Sequence, residues 1–158
     1  MSSSQVLFLA FFIGVFDGLR SLTAPAVVAW AAHLNWLDLQ NTSFSFMGST
    51  AAVAIFTVLA IVELVADKLP STPSRKNPPS LIARIVLGGF SGACLAVAGV
   101  EPIALGAVVG VGGGIAGAFA GYEARTRLVK ALKVPDLVIA LLEDAVAIGG
   151  GLLLVSQF

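Results

Sequence analysis

Residues 16–25 read FDGLRSLTAP, and they interrupt an apolar run that extends from Val6 to Leu34. Asp17 and Arg20 stand three apart, with Gly18 between them and Pro25 close behind. About 20 apolar residues span a bilayer as a helix. Ionisable groups inside such a helix are costly, and they face a bundle interior or a watery cavity. The reading of this stretch decides whether residues 6–33 form one straight spanning helix or a broken one.

The surrounding chain makes lipid the expected solvent. Of its 158 residues, 58% are hydrophobic and only 11% charged, and the mean hydropathy is +0.98. Soluble domains carry about a quarter charged residues, so these charges are too few to cover a water-facing surface. The length suggests a single transmembrane domain over 1–158. Five segments are long and apolar enough to cross: 6–33, 47–66, 82–100, 103–121 and 137–156. The expected fold is an all-α polytopic bundle of about five spans. The start, MSSSQ, lacks the cationic region of a signal peptide, and the first segment is expected to be retained.

Two connections hold most of the cations. The stretch DKLPSTPSRKNPPS has four prolines and cannot be a helix interior, so 67–81 reads as a loop. YEARTRLVKALKVPD, about 122–136, reads as a basic extension of the fourth helix or a loop, with Pro135 opening the next helix. The intervening connections 34–46 and 101–102 contain no Lys or Arg. With five spans both basic connections fall on one side, which the positive-inside rule makes cytoplasmic. The N-terminus is then cytoplasmic and the C-terminus outside, in a bacterial inner membrane. Trp30, Trp36 and Phe44 flank the first outer connection as interfacial aromatics.

IVELVAD and ALLEDAVA place acids in similar dress in the second and fifth segments. Pairing segments 1+2 with 4+5 around the third gives a possible inverted repeat, an arrangement typical of secondary transporters. In the fourth segment Gly106, Gly110, Gly114, and Gly113, Gly117, Gly121, recur every four residues, as do Gly88 and Gly92 in the third. Such rows let helices approach closely, either within the chain or between copies of it. They are not a phosphate loop: no strand precedes them and no Gly-Lys-Ser/Thr follows.

At about 1.5 Å of rise per residue, Asp17 and Arg20 lie roughly 17 and 21 Å along the first helix, near the middle of a ~30 Å core. Glu143 and Asp144 lie roughly 9–11 Å into the last span, and Glu63 stands one turn above Asp67. At i and i+3, Asp17 and Arg20 can pair on one helix face and staple it to its neighbours. Alternatively Gly18, Ser21, Thr23 and Pro25 break the helix, and the freed backbone lines a cavity. The acids Asp17, Glu63, Asp67, Glu143 and Asp144 outnumber Arg20, with Lys68 and Arg84 near the boundary as partners. Carboxylates in low dielectric take up protons or cations, so a cationic or proton-linked solute is the favoured ligand. Asp67 also reads as a merely interfacial acid.

Enzyme readings fail on their motifs. Asp17-Gly18 and Arg20 begin like a CDP-alcohol transferase motif, but its alanine-arginine pair, further glycine and two further aspartates are missing. His-Glu-x-x-His is absent, and the lone His33 lies away from the acids. The single Cys94 excludes an intramolecular disulfide or a cysteine cluster. No enzyme activity, cofactor or nucleic-acid partner is expected; the partners are the bilayer, a second copy of the chain, and a small solute or ion.

GLRSLTAPAVVAWAA, VELVADKLPSTPSR, LIARI, AGAFAGYEAR and LLEDAVAI, in this order, resemble the bacterial membrane proteins of domain of unknown function family 4126. The resemblance covers nearly the whole chain and implies an integral membrane protein, with no activity attached. A looser likeness connects Glu63 and Asp67-Lys68 to membrane cation/calcium exchangers with the signature Glu-x-Gly-Asp-Lys/Arg-Ser/Thr. Here the spacing is one longer, and Val65-Ala66 replace the glycine. Two readings follow: a small transporter or channel-like protein, or a scaffold in which the charges lock helix packing.

Overall fold

A computed structural model describes residues 1–68 and 77–158. Among these are six α-helices: α1 (Ser3–Leu19), α2 (Thr23–His33), α3 (Thr50–Ala66), α4 (Pro78–Ala98), α5 (Ile103–Leu132) and α6 (Asp136–Val155), with a short 3-10 turn at Ser45–Gly48. The capping chemistry is local. Ser2 and Gln5 form a capping box on α1, Ser49 Oγ accepts the Ala52 N–H at 3.1 Å to start α3, and prolines open α4. Lys133, in a left-handed conformation (φ 52°), ends α5. The basic segment 122–136 therefore begins as helix, carried to Leu132 on α5, and passes through a tight turn into α6. Part of the expected 67–81 loop lies outside the described residues.

α4, α5 and α6 are long and apolar enough to cross a membrane, while α1 and α3 are shorter apolar helices. Side chains such as Phe8, Ile55, Val86, Val108 and Leu153 face outward on several different helices, as lipid-facing positions do. α1, α4 and α5 pack on one another, and α2 lies against α3 and α6. Glycine makes the first group possible. A Cβ on Gly14 would fall on the Gly110 carbonyl, and one on Gly92 would fall on the Gly106 carbonyl. Gly88, Gly110, Gly114 and Gly117 likewise meet backbone of a neighbouring helix, and Gly121 is buried. These rows bring helices of one chain together.

The same contacts set the helix directions. Val6 lies against Gly99, Gly14 against Gly110, and Gly18 against Gly114 and Ala118, so α1 runs parallel to α5. Gly92 opposes Gly106 and Gly88 opposes Gly114, so α4 runs antiparallel to both. Ala32 lies against Gly48, and Trp30 Nε1 donates to Thr57 Oγ1 at 3.0 Å, so α2 runs antiparallel to α3.

The expected single span over 6–33 is thereby corrected. α1 descends toward the end that holds Lys68, Arg84 and Lys133, and α2 climbs back. At 17 and 11 residues they are about 25 and 16 Å long, each short of a ~30 Å hydrocarbon core. Both termini consequently lie at the same end, and Met1 and Gln157 line one cleft. From the sequence the termini are expected on opposite sides, whereas in the structure both lie at one end of the bundle. The first helix's expected path changes with them: Arg20 is reached from the end opposite the basic one. The two halves compared in sequence also differ in path, since α5 runs straight for 30 residues where 3–33 doubles back.

Candidate functional site

The elbow between α1 and α2 occupies Arg20, Ser21 and Leu22. Of the four residues expected to break the helix, Ser21 lies in the break and Thr23 opens α2, whereas Gly18 and Pro25 lie inside the two helices. Gly18 stays inside α1, where a Cβ would stand about 2.5 Å from the Gly114 carbonyl and the Ala118 nitrogen. Pro25 sits in the first turn of α2, where its missing N–H costs nothing. The chain leaves α1 because Arg20 is extended (φ −143°, ψ 105°). That conformation also explains why Asp17 and Arg20 do not pair: the i, i+3 geometry requires both residues to be helical.

Arg20 is completely buried and is held by side chains from α6 and from the end of α3. Its Nε donates to Asp144 Oδ1 at 2.6 Å, its Nη1 to Asp67 Oδ2 at 2.8 Å, and its Nη2 lies 3.4 Å from Glu143 Oε2. Nη1 also reaches the Leu19 carbonyl at 3.3 Å, so the guanidinium sits on the negative end of α1. Two of the three acids are shared. Asp144 Oδ2 accepts from Lys68 Nζ at 2.6 Å, and Glu143 Oε2 lies 3.5 Å from Arg125 Nη1. Arg125 in turn grips Asp136 with two hydrogen bonds, at 2.8 and 2.5 Å. Asp67, which also reads in sequence as an interfacial acid, is an Arg20 ligand.

Glu63 serves the other side of the elbow. Its Oε1 accepts the Ser21 N–H at 2.7 Å and the Ser21 hydroxyl, and its Oε2 accepts the Leu22 N–H at 2.8 Å. These are donors at the start of α2 that no helical carbonyl can take, and a carboxylate suits the positive end of a helix. Arg84 Nη1 lies 3.9 Å from Glu63 Oε1. The elbow thus carries a cation at the end of one half-helix and an anion at the start of the next.

Asp17 belongs to a different environment. It is fully enclosed, and the charged and polar groups it feels are Ser91, Glu63 and Arg84. About 12 Å of helix separates Asp136 from Asp144, which sets the Arg20 network well inside the bundle. Between α2, α3 and α6 an apolar furrow of about 390 Å³ runs from Thr23 to Trp36, past Val27, Leu64 and Leu152.

Of the residues singled out in sequence, Arg20, Asp67, Glu143 and Asp144 converge, Glu63 caps the elbow, and Asp17 stands apart. Arg125 and Ser91 carry roles that residue spacing did not reveal. Ser91 had a signal, as a lone hydroxyl in an apolar stretch of α4; Arg125 had none, because it reads as one more cation in a basic segment. Arg84, expected as a partner of the acids, is buried and lies near Glu63. Among the described residues no cluster of His, Cys, Asp and Glu is arranged to hold a metal ion.

No curated protein and no solved structure matches this chain. One family model does, over residues 7–157: Domain of unknown function (DUF4126). With nearly its full length covered, and with the motifs that carry the charge network inside the match, the chain belongs to the DUF4126 family.

Proposed function

We propose that this protein is a small, non-enzymatic membrane transporter for a cationic or proton-linked solute, and that the elbow with its Arg20 network is the site. One observation carries the reading: a helix broken deep in the bundle, its backbone ends satisfied by Glu63 and Arg20 rather than by further helix. Irregular backbone at membrane depth is tolerated where it is buried in protein or lines a cavity, and paired half-helices are the usual frame of a transport site. Asp144 and Glu143 are each shared between two cations. An entering cation can take one such carboxylate while the displaced Arg or Lys keeps its other contacts, so partner exchange leaves no charge bare.

The described cations Arg20, Lys68, Arg84, Arg125, Arg127, Lys130 and Lys133 gather toward one end, while Asp38 and Glu101 lie at the other. The positive-inside rule places the basic end in the cytoplasm of a bacterial inner membrane, with both termini outside. A chain of 16.1 kDa encloses little space by itself, so a homo-oligomer is the expected working unit.

The test is flux in proteoliposomes under an imposed proton gradient and, separately, a sodium gradient. Glu63→Gln, Glu143→Gln and Asp144→Asn are expected to lower flux at least tenfold, and flux unchanged in all three counts against the proposal. A second reading, a scaffold locked by charge, is favoured by the full enclosure of Arg20 among three carboxylates. It expects Arg20→Leu to lower stability or assembly while the wild-type protein carries no flux.

A further inference from the structure

Asp17 lies on α1 about one turn from Arg20 and outside its network. It is 0% exposed, and neither of its carboxylate oxygens has a hydrogen-bond donor among the described residues. Ser91 of α4 is likewise 0% exposed, and its hydroxyl has no partner either. It lies beside Asp17 and is the hydroxyl within reach to donate to it, though outside strict hydrogen-bond geometry. Three buried oxygens from two helices thus meet, and among the described residues the serine's own proton is the one donor they have between them. Buried polar groups are almost always satisfied, and a bare carboxylate in an apolar interior costs far more than a bare hydroxyl.

The surroundings select the charge of what satisfies them. α5 faces Asp17's turn of α1 with Gly114, Gly117 and Ala118, which bring only backbone. α4 contributes Arg84 and Cys94, and α3 contributes Glu63. Arg84 is already near the Glu63 carboxylate, at 3.9 Å, so its single charge is shared between two acids. Asp17 is also in the last turn of its own helix, where the aligned carbonyls add negative potential. Carboxylate, hydroxyl and the end of a half-helix form an oxygen-rich, electronegative pocket, the setting in which half-helix C-terminal ends hold coupling cations. Among the described residues Asp17 and Glu63 share the one charge of Arg84, and the carboxylate charge left over balances one positive charge, which favours a monovalent over a divalent ion.

We propose that Asp17 and Ser91 hold a single alkali cation of the sodium kind, at a site separate from the Arg20 network, and that this ion is the one to which transport is coupled. The coupling rests on the transport reading given above. The binding does not, and its test reads binding without flux, so either can fail alone.

The experiment follows thermal unfolding of the full-length protein in detergent at neutral pH, with sodium chloride replaced by choline chloride at constant ionic strength. A ligand that binds only the folded state stabilises it progressively above its Kd. Sodium is expected to raise the midpoint by several degrees, and the rise is expected to vanish in Asp17→Asn and in Ser91→Ala while persisting in Asp38→Asn. If Asp17→Asn does not fold, Ser91→Ala carries the comparison. Equal midpoints in the two salts, or a sodium shift that survives in Ser91→Ala, overturn the proposal. So does a protonated-carboxyl band in the infrared spectrum at neutral pH that Asp17→Asn removes, because it assigns a proton in place of the metal ion.

Discussion

Arg20 Nε donates to Asp144 Oδ1 at 2.6 Å across 124 positions of sequence, and not to Asp17, three residues before it. The ion pair therefore ties α6 to the elbow of the first two helices. Taking the guanidinium away leaves Asp67, Glu143 and Asp144 crowded without their shared partner. Breaking a buried ion pair from one side costs about 3–5 kcal/mol. Arg20→Met is expected to destabilise by that amount in thermal or denaturant unfolding, and Arg20→Met with Asp144→Asn by clearly less than the sum of the two single changes. Additive losses would mean that the two residues do not act on each other.

Glu63 is expected to hold the elbow through the Ser21 and Leu22 amides. Hydrogen bonds to a charged group contribute about 1.5–3 kcal/mol. In Glu63→Gln, amide exchange at Ser21 and Leu22 is expected to accelerate about tenfold or more, while exchange in the middle of α5 stays unchanged. Equal protection in wild type and variant would show that another group holds these amides.

The reversal at the elbow has a topological consequence that labelling can read. In a Cys94→Ala background, Ser2→Cys and Gln157→Cys are expected to react with a membrane-impermeant maleimide added to intact cells. Lys133→Cys is expected to react only after lysis. Labelling of the two termini from opposite sides would contradict the shared end at which Met1 and Gln157 meet.

Glycines of the α1, α4 and α5 group differ sharply in what a methyl group would meet. A Cβ at Gly110 would strike the Gly88 carbonyl, whereas one at Gly112 meets nothing within 4 Å. Overpacking costs about 1–3 kcal/mol, and two backbones in contact have little room to yield. Gly110→Ala is expected to lose that much stability, and Gly112→Ala to lose none, by unfolding in the same detergent.

Exposed pairs give the contrast. Arg127 Nε donates to Glu123 Oε1 at 2.8 Å, with the arginine side chain 78% exposed. Solvent screens such a pair, so Arg127→Ala is expected to change stability by less than about 0.5 kcal/mol. A loss comparable to that of Arg20→Met would place Arg127 in a tertiary contact.

Composition and patterning by themselves pointed to an all-helical chain with helices apolar enough for a bilayer. An apolar chain with so few charges reads as a helical membrane protein, because backbone groups in lipid must be satisfied within helices. Prolines then marked some helix ends, and glycine rows the faces that touch. The residues of the charge network were legible too, since an acid or an arginine stands out in an apolar run. Their pairing was not. Whether residues 6–33 cross once or double back depends on a single extended residue, Arg20. That conformation is held by Asp67, Glu143, Asp144 and Glu63, which come from distant helices. Local spacing allowed either an Asp17–Arg20 pair on an unbroken helix or a break among Gly18, Ser21, Thr23 and Pro25. Only the tertiary structure decides between them, since only it brings Glu63 to the open start of α2 and the carboxylates that hold Arg20 at the open end of α1.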